Sequence, residues 1–391
     1  MGWEFSMIGD AMLRFALPLY IFLQTGNAVL LGSMLTISSI PVILLTPLGG
    51  VMADRYSKRK LMVMINLMIA GMTILYAFVA ADFDLIVITT TLILILFTLT
   101  AVSTPSAEAS VPLLVPEGEL VKANSVTFLL TIFSSVGAPM VAGNILERHG
   151  LTPILWISIV MFTLASIVKS MAKIPYQASE KKAKLSKIMA SDLKEGIHFI
   201  TKENPTVGKV ILILGLVCIV LAPIMSVGLS VLVTNYFGLG ERTLGIAQGL
   251  VVFGGTVGVI VIGILGSKAT VKLIRPAIFL AGGCLIPAGV ILMKFGNQQI
   301  SFIALIATFF IVLAVQTVHA IVSWGYLGEN TPEELLGKVM ALNATVFAIG
   351  IAIGNSLYGL LFDHFTDHPS MALFALAGLT AVVGLGASVK T

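Results

Sequence analysis

Long uncharged apolar runs recur along the chain, separated by short clusters of polar and charged residues. Residues 28–53 contain no Asp, Glu, Lys or Arg, and neither do residues 61–81. A hydrocarbon core of about 30 Å is crossed by ~20 helical residues at ~1.5 Å rise, so each run is long enough to span it. The pattern predicts twelve such helices, at about 3–24, 28–53, 61–81, 85–107, 123–146, 151–173, 207–234, 243–265, 274–294, 300–325, 335–362 and 369–389. An all-α integral membrane fold follows, because a segment in hydrocarbon must satisfy its own backbone hydrogen bonds. Apolar sequence begins at Trp3 and runs straight into the first span with no basic segment before it, so no cleavable signal is expected.

The longest polar interruption divides the chain into an N-terminal six-helix bundle (1–173), a linker (174–206) and a C-terminal six-helix bundle (207–391). Within the linker Leu185, Ile188, Met189, Leu193, Ile197 and Ile200 recur at helical spacing. They predict an amphipathic helix lying along the membrane interface, its lysines toward the headgroups. The two halves also repeat. Gly266 follows Gly50 by 216 residues, Gly359 follows Gly143 by the same distance, and Val115-Pro116-Glu117 aligns with Thr331-Pro332-Glu333. Two pseudo-symmetric bundles in the same orientation are what a parallel repeat implies.

Composition agrees with this class. Hydrophobic residues make up 57% and charged residues 11%, with a mean hydropathy of +1.03, against about 25% charged in soluble domains. The net charge of +4 reflects topology rather than nucleic-acid affinity. All Lys and Arg except Arg14, Arg148, Arg242 and Lys294 fall on the side that holds the N-terminus. The positive-inside bias therefore places both termini in the cytoplasm. Cys218 and Cys284 sit in apolar runs and read as small buried hydrophobes, without disulfide or metal spacing. No nucleophile motif, metal cluster or phosphate-cradling loop is found, so neither an enzyme nor a cofactor is expected. Gly254, Gly255 and Gly258 read as helix-packing residues of span eight.

Charges inside spans are costly and default to function. Asp10 and Arg14 are four apart and share a helical face. They either neutralise each other as a structural pair, or Asp10 faces a central cavity and exchanges a proton or binds a cation while Arg14 tunes it. His319, one turn from Gln316 on span ten, either lines that cavity or bonds a neighbour. Span eleven opens at Thr331, where Thr331 is expected as the N-cap, Pro332 as the first helical residue and Glu334 as the acid of a capping box.

Between spans two and three stands Gly50-Val51-Met52-Ala53-Asp54-Arg55-Tyr56-Ser57-Lys58-Arg59. It resembles the signature loop of the major facilitator superfamily, with Ser57 where glycine is usual. The resemblance implies a cytoplasmic latch built from Gly50, Asp54, Arg55, Lys58 and Arg59. Asp54 would dock on the positively polarised start of span eleven near Thr331 and Glu334. Glu108, at the end of span four, would pair with Lys58, or else carry protons. The second half keeps bases but has Thr270 and Val271 opposite Asp54 and Arg55, so only the first half holds the full set.

In span five, Gly137, Pro139 and Gly143 resemble a degraded antiporter motif, with Ala138 and Ala142 in place of two glycines. Span four lacks the Arg-containing motif of many proton-coupled drug exporters, a departure that bears on the coupling ion. Gly9-Asp10, Phe15 to Pro18, Thr25-Gly26-Asn27, Val111 to Asn124 and Asp192 to Gly196 are similar to the twelve-span exporter branch that includes macrolide-efflux and siderophore-export proteins. That likeness implies a bacterial, monomeric plasma-membrane transporter that exports amphiphilic small molecules by alternating access and proton antiport. Export or flipping of one siderophore, lysolipid or other metabolite is the alternative.

Overall fold

The structure, a computed structural model, describes residues 2–108, 110, 120–172, 185–293 and 297–387. Side chains are described within these ranges except at 47–51, 53–55, 108, 120–126, 128, 185–190 and 267. The described residues contain helices and no strand. Twelve of those helices are long and apolar enough to cross a membrane, with Gly2–Thr25 as the first and Pro369–Gly386 as the twelfth. Large apolar side chains face outward along them, among them Leu44, Phe133, Ile264 and Val382, each more than half exposed. In water so much apolar surface would aggregate; in hydrocarbon it is the compatible exterior. The protein is multi-pass in the membrane.

The chain forms two compact units. One comprises Met1–Gly26, Ile37–Leu185 and Gly240–Gly249; the other comprises Asn27–Thr36, Ser186–Leu239 and Leu250–Thr391. The main break falls inside the predicted linker, but the start of span two belongs with the second unit and the start of span eight with the first. In the first unit span one packs on spans four, five and six, and span three packs on spans four and six. In the second unit span seven packs on spans ten, eleven and twelve, and span nine packs on spans ten and twelve. Adding six to each number of the first set gives the second set. The faint sequence repeat is thus a repeat of helix pairing.

Small residues set the closest approaches within each unit. In the second unit a Cβ added to Gly350 would lie 2.5 Å from the Gly215 carbonyl oxygen, and one on Gly354 would lie 2.4 Å from that of Ile219. Glycine is required where backbones come this near. Span seven, Pro205–Tyr236, is irregular there: it leaves regular α-helical bonding at Ala222–Pro223 and continues through two wide turns, Ile224–Gly228 and Leu232–Tyr236. Pro223 has no N–H to give the ladder. The fully buried Tyr358 donates its hydroxyl to the Val220 carbonyl at 2.5 Å, next to that break. Ser226 donates to Asn355 Oδ1 at 2.7 Å. Spans seven and eleven are therefore bonded as well as packed.

The predicted linker helix is present as Leu185–His198, followed by one wide turn over Phe199–Glu203. Leu193 and Ile197 of the predicted apolar stripe are 51% and 44% exposed, whereas Gly196 and Phe199 face inward. A Cβ on Gly196 would meet Leu342 Cδ1 at 2.8 Å. Lys338, in span eleven, donates to Glu195 and lies 3.2 Å from Asp192. Lys338 holds the Glu195 carboxyl below the usual carboxylate range, helped by Ser191.

Gly354→Leu is expected to force spans seven and eleven apart and to destabilise the protein by about 1–3 kcal/mol. Gly283→Leu, where an added Cβ meets nothing within 4 Å, is the matched control. Thermal unfolding of both purified variants checks this.

Candidate transport site

Span one carries its charges into the first unit. Arg14 Nε donates to Asp10 Oδ2 at 2.5 Å, one helical turn away. The same guanidinium reaches span four: Nη2 donates to Thr100 Oγ1 at 2.6 Å, and Cζ lies 3.8 Å from the centroid of the Phe97 ring. Thr100 passes the bond on, donating to the Leu96 carbonyl at 2.7 Å. A hydroxyl can accept and donate at once, which suits it to this place. Arg14 is therefore fixed from two helices, by a carboxylate, a hydroxyl and an aromatic face.

Asp10 is less completely used. Its second oxygen, Oδ1, is buried and has no hydrogen-bond partner among the described residues. The side chains of Arg14 and Asp10 keep 29% and 22% of their exposure, so the pair is neither sealed nor free in solvent. The paired geometry expected from the four-residue spacing is present. It leaves one carboxylate oxygen lacking a donor, which a proton or a cationic group would supply.

Span ten places His319 in the second unit at 2% exposure, with neither ring nitrogen bonded among the described residues. The Gln316 side-chain oxygen one turn earlier is likewise unpartnered among them. The neighbouring bond is made by backbone: Ser323 donates to the His319 carbonyl at 2.8 Å. His319 and Gln316 belong to the second unit, the Asp10–Arg14 pair to the first.

The signature-loop residues divide. The side chains of Gly50, Asp54, Arg55 and Glu108 lie outside the described residues, so neither the docking of Asp54 nor the Glu108–Lys58 pair is placed. Lys58 is the first residue of span three, whose N-cap Ser57 accepts from the Lys60 N–H at 3.5 Å. Arg59 Nη1 donates to the Ser170 and Ala172 carbonyls, each at 3.5 Å. Those are terminal carbonyls of span six, where a cation offsets the helix dipole. Span eleven begins one residue later than expected. Pro332, with φ −55° and ψ 144°, is its N-cap rather than its first helical residue. Thr331 does not cap; its hydroxyl oxygen is buried without a partner among the described residues, and Glu334 stands in the first turn. The extended ψ of Pro332 turns Thr331 away from the helix axis, which removes the capping box.

Of the antiporter-like residues, Pro139 and Gly143 meet the start of span eight inside the first unit. A Cβ on Gly143 would lie 2.3 Å from the Glu241 carbonyl oxygen, and one on Gly245 would lie 2.3 Å from that of Pro139. Gly137 takes no part, since a Cβ there would find only Phe133 at 3.9 Å. No group of His, Cys, Asp and Glu suited to a metal occurs among the described residues. Cys218 is buried, Cys284 half-buried, and both are free.

Three participants were not picked out from the sequence, and two of them carry no distinguishing mark there. Phe97 and Thr100 are ordinary members of an apolar, threonine-rich span. Lys169, one turn from the end of span six, is only 8% exposed and donates to Ser6 Oγ at 3.0 Å, tying span six to span one. Its place inside the last turn of an apolar run was the available signal.

Residues 5–355 match the family model described as Major Facilitator Superfamily. Macrolide efflux protein A of Streptococcus pyogenes is 26% identical over 93% of this chain and 88% of its own length. Enterobactin exporter EntS of Shigella boydii serotype 4 is 23% identical over 90% of this chain and 82% of its own. A bacterial homologue of the iron transporter ferroportin, solved in an inward-facing state, superposes with a TM-score of 0.75 at 17% identity, covering 100% of this chain and 97% of that one. The nucleoside transporter NupG gives 0.75 at 10% identity, covering 99% and 98%.

A double-mutant cycle measures the Asp10–Arg14 pair. Asp10→Asn and Arg14→Gln are each expected to destabilise the protein, and the double variant to lose less than the sum of the two, with a coupling on the order of 0.5–3 kcal/mol. Additive losses would show that the two groups do not support each other.

Proposed function

Because the chain belongs to the major facilitator superfamily, a family of transporters, we propose that it is a secondary active exporter of amphiphilic, macrolide-like small molecules driven by proton antiport. The observation that carries this reading is the Asp10 carboxylate, held at one oxygen by Arg14 and bare at the other, inside an apolar span. In the inward-facing protein a protonated or cationic group fills the place at Oδ1. Exchange of the exported molecule for an external proton returns it. Arg14 keeps its Thr100 and Phe97 contacts on span four throughout, so neutralising Asp10 breaks a bond within span one and leaves the arginine tied to span four.

In this reading both termini are cytoplasmic and the protein works as a monomer. The signature loop latches the cytoplasmic side when the cavity opens outward. Asp54 meets the start of span eleven near Thr331 and Glu334, supported by Gly50, Arg55 and Lys58, and Glu108 pairs with Lys58. Arg59 braces its own unit at the end of span six. Pro139 and Gly143 keep span five tight on the start of span eight, and His319 and Gln316 offer unpaired polar atoms to substrate from the second unit. The likeness to macrolide efflux protein A supports the substrate class. Likeness to an enterobactin exporter favours a second reading, export of a single siderophore or similar metabolite.

In proteoliposomes, transport of a macrolide is expected to depend on an imposed pH gradient. Asp10→Asn should lose that dependence while keeping its fold. Gradient-independent transport by the unmutated protein would remove proton antiport, and transport of enterobactin alone would select the second reading.

A further inference from the structure

We propose that the outward face of the linker helix, with the cleft beside it, is a binding site for anionic phospholipid headgroups. The cleft has a volume of about 670 Å³ and is lined by Ser191, Lys194, His198, Thr201 and Lys202 of the linker, with Leu335 from the first turn of span eleven. Of its acids, Glu195 bonds Lys338, and Glu203 lies 3.6 Å from His198, an ion pair only when that imidazole is protonated. Lys194 and Lys202 have no acidic partner among the described residues. The Ser191 and Thr201 hydroxyls already donate to Glu195 and to the Ile197 carbonyl, so the two ammonium groups of Lys194 and Lys202 are what the recess offers a phosphodiester.

The surroundings select a lipid over a soluble anion. Leu193 and Ile197, both exposed, flank the lysines on the same short helix. A headgroup brings acyl carbons that cover such side chains; inorganic phosphate brings none. The helix is also held in place. Lys338 engages Asp192 and Glu195 on one edge, and Gly196 lies against Leu342, leaving the basic and aliphatic edge turned outward. Lys181, Lys182 and Lys184 precede it in the sequence, Lys187 lies within it, and all four add to the positive charge of the segment. A headgroup in the cleft touches Leu335, one turn before Lys338 on span eleven, so lipid and the Lys338 contacts hold the same helix start.

The test uses the full chain, purified in a neutral detergent and titrated with phosphatidylglycerol or phosphatidylcholine of matched acyl chains, with affinity read from the shift in melting temperature. Phosphatidylglycerol is expected to bind more tightly, and Lys194→Gln and Lys202→Gln each to weaken it about fivefold. Arginine at both positions should preserve it, and Leu193→Ser/Ile197→Ser should weaken both lipids alike. Equal response to the two lipids, an undiminished phosphatidylglycerol preference in a folded Lys194→Gln/Lys202→Gln protein, or the same shift from inorganic phosphate alone would overturn the proposal.

Discussion

A charge placed in hydrocarbon costs ~2.5–3.5 kcal/mol on insertion scales even after the surroundings adapt, and span one carries two away from its ends. Asp10 and Arg14 offset most of that cost against each other. The arginine offsets more of it through Thr100 and the face of Phe97. What they leave is one carboxylate oxygen without a donor. The proposed coupling depends on that asymmetry. A fully bonded carboxylate would be structural only, and an unpaired one would not stay charged.

Everything around the pair follows from the need to satisfy backbone groups where no water is available. Helices result, and they are free to approach closely only where side chains are small. Gly143, Gly245, Gly350 and Gly354 each stand within a few ångströms of a neighbouring carbonyl. Where Pro223 interrupts span seven, Tyr358 and Asn355 of span eleven supply polar partners. The same pairing pattern appears in both units, and the first holds the Asp10–Arg14 ion pair in its first span.

Much of this was legible in the sequence because each feature has a local signature. Uncharged runs gave the spans, and four-residue spacing gave the Asp10–Arg14 bond. A glycine at matching positions of the halves pointed to a repeat that the helix pairings bear out. Other features depended on tertiary neighbours. Nothing local distinguishes Thr100 from Thr91 or Thr104, yet only Thr100 meets Arg14. The linker stripe was visible, but Gly196 fitting against Leu342 and Lys338 reaching Glu195 decide which edge turns inward. At span eleven the Thr-Pro-Glu sequence suited a capping box, and one extended ψ at Pro332 moved the helix start past it.

The most direct measurement follows protons rather than transport. Purified protein in weakly buffered detergent, mixed with a cationic macrolide and a pH indicator, reports whether binding displaces a proton. The account predicts proton release from the unmutated protein and none from Asp10→Asn at equal ligand occupancy. Equal release from both would place the exchanged proton elsewhere and contradict the role given to Asp10.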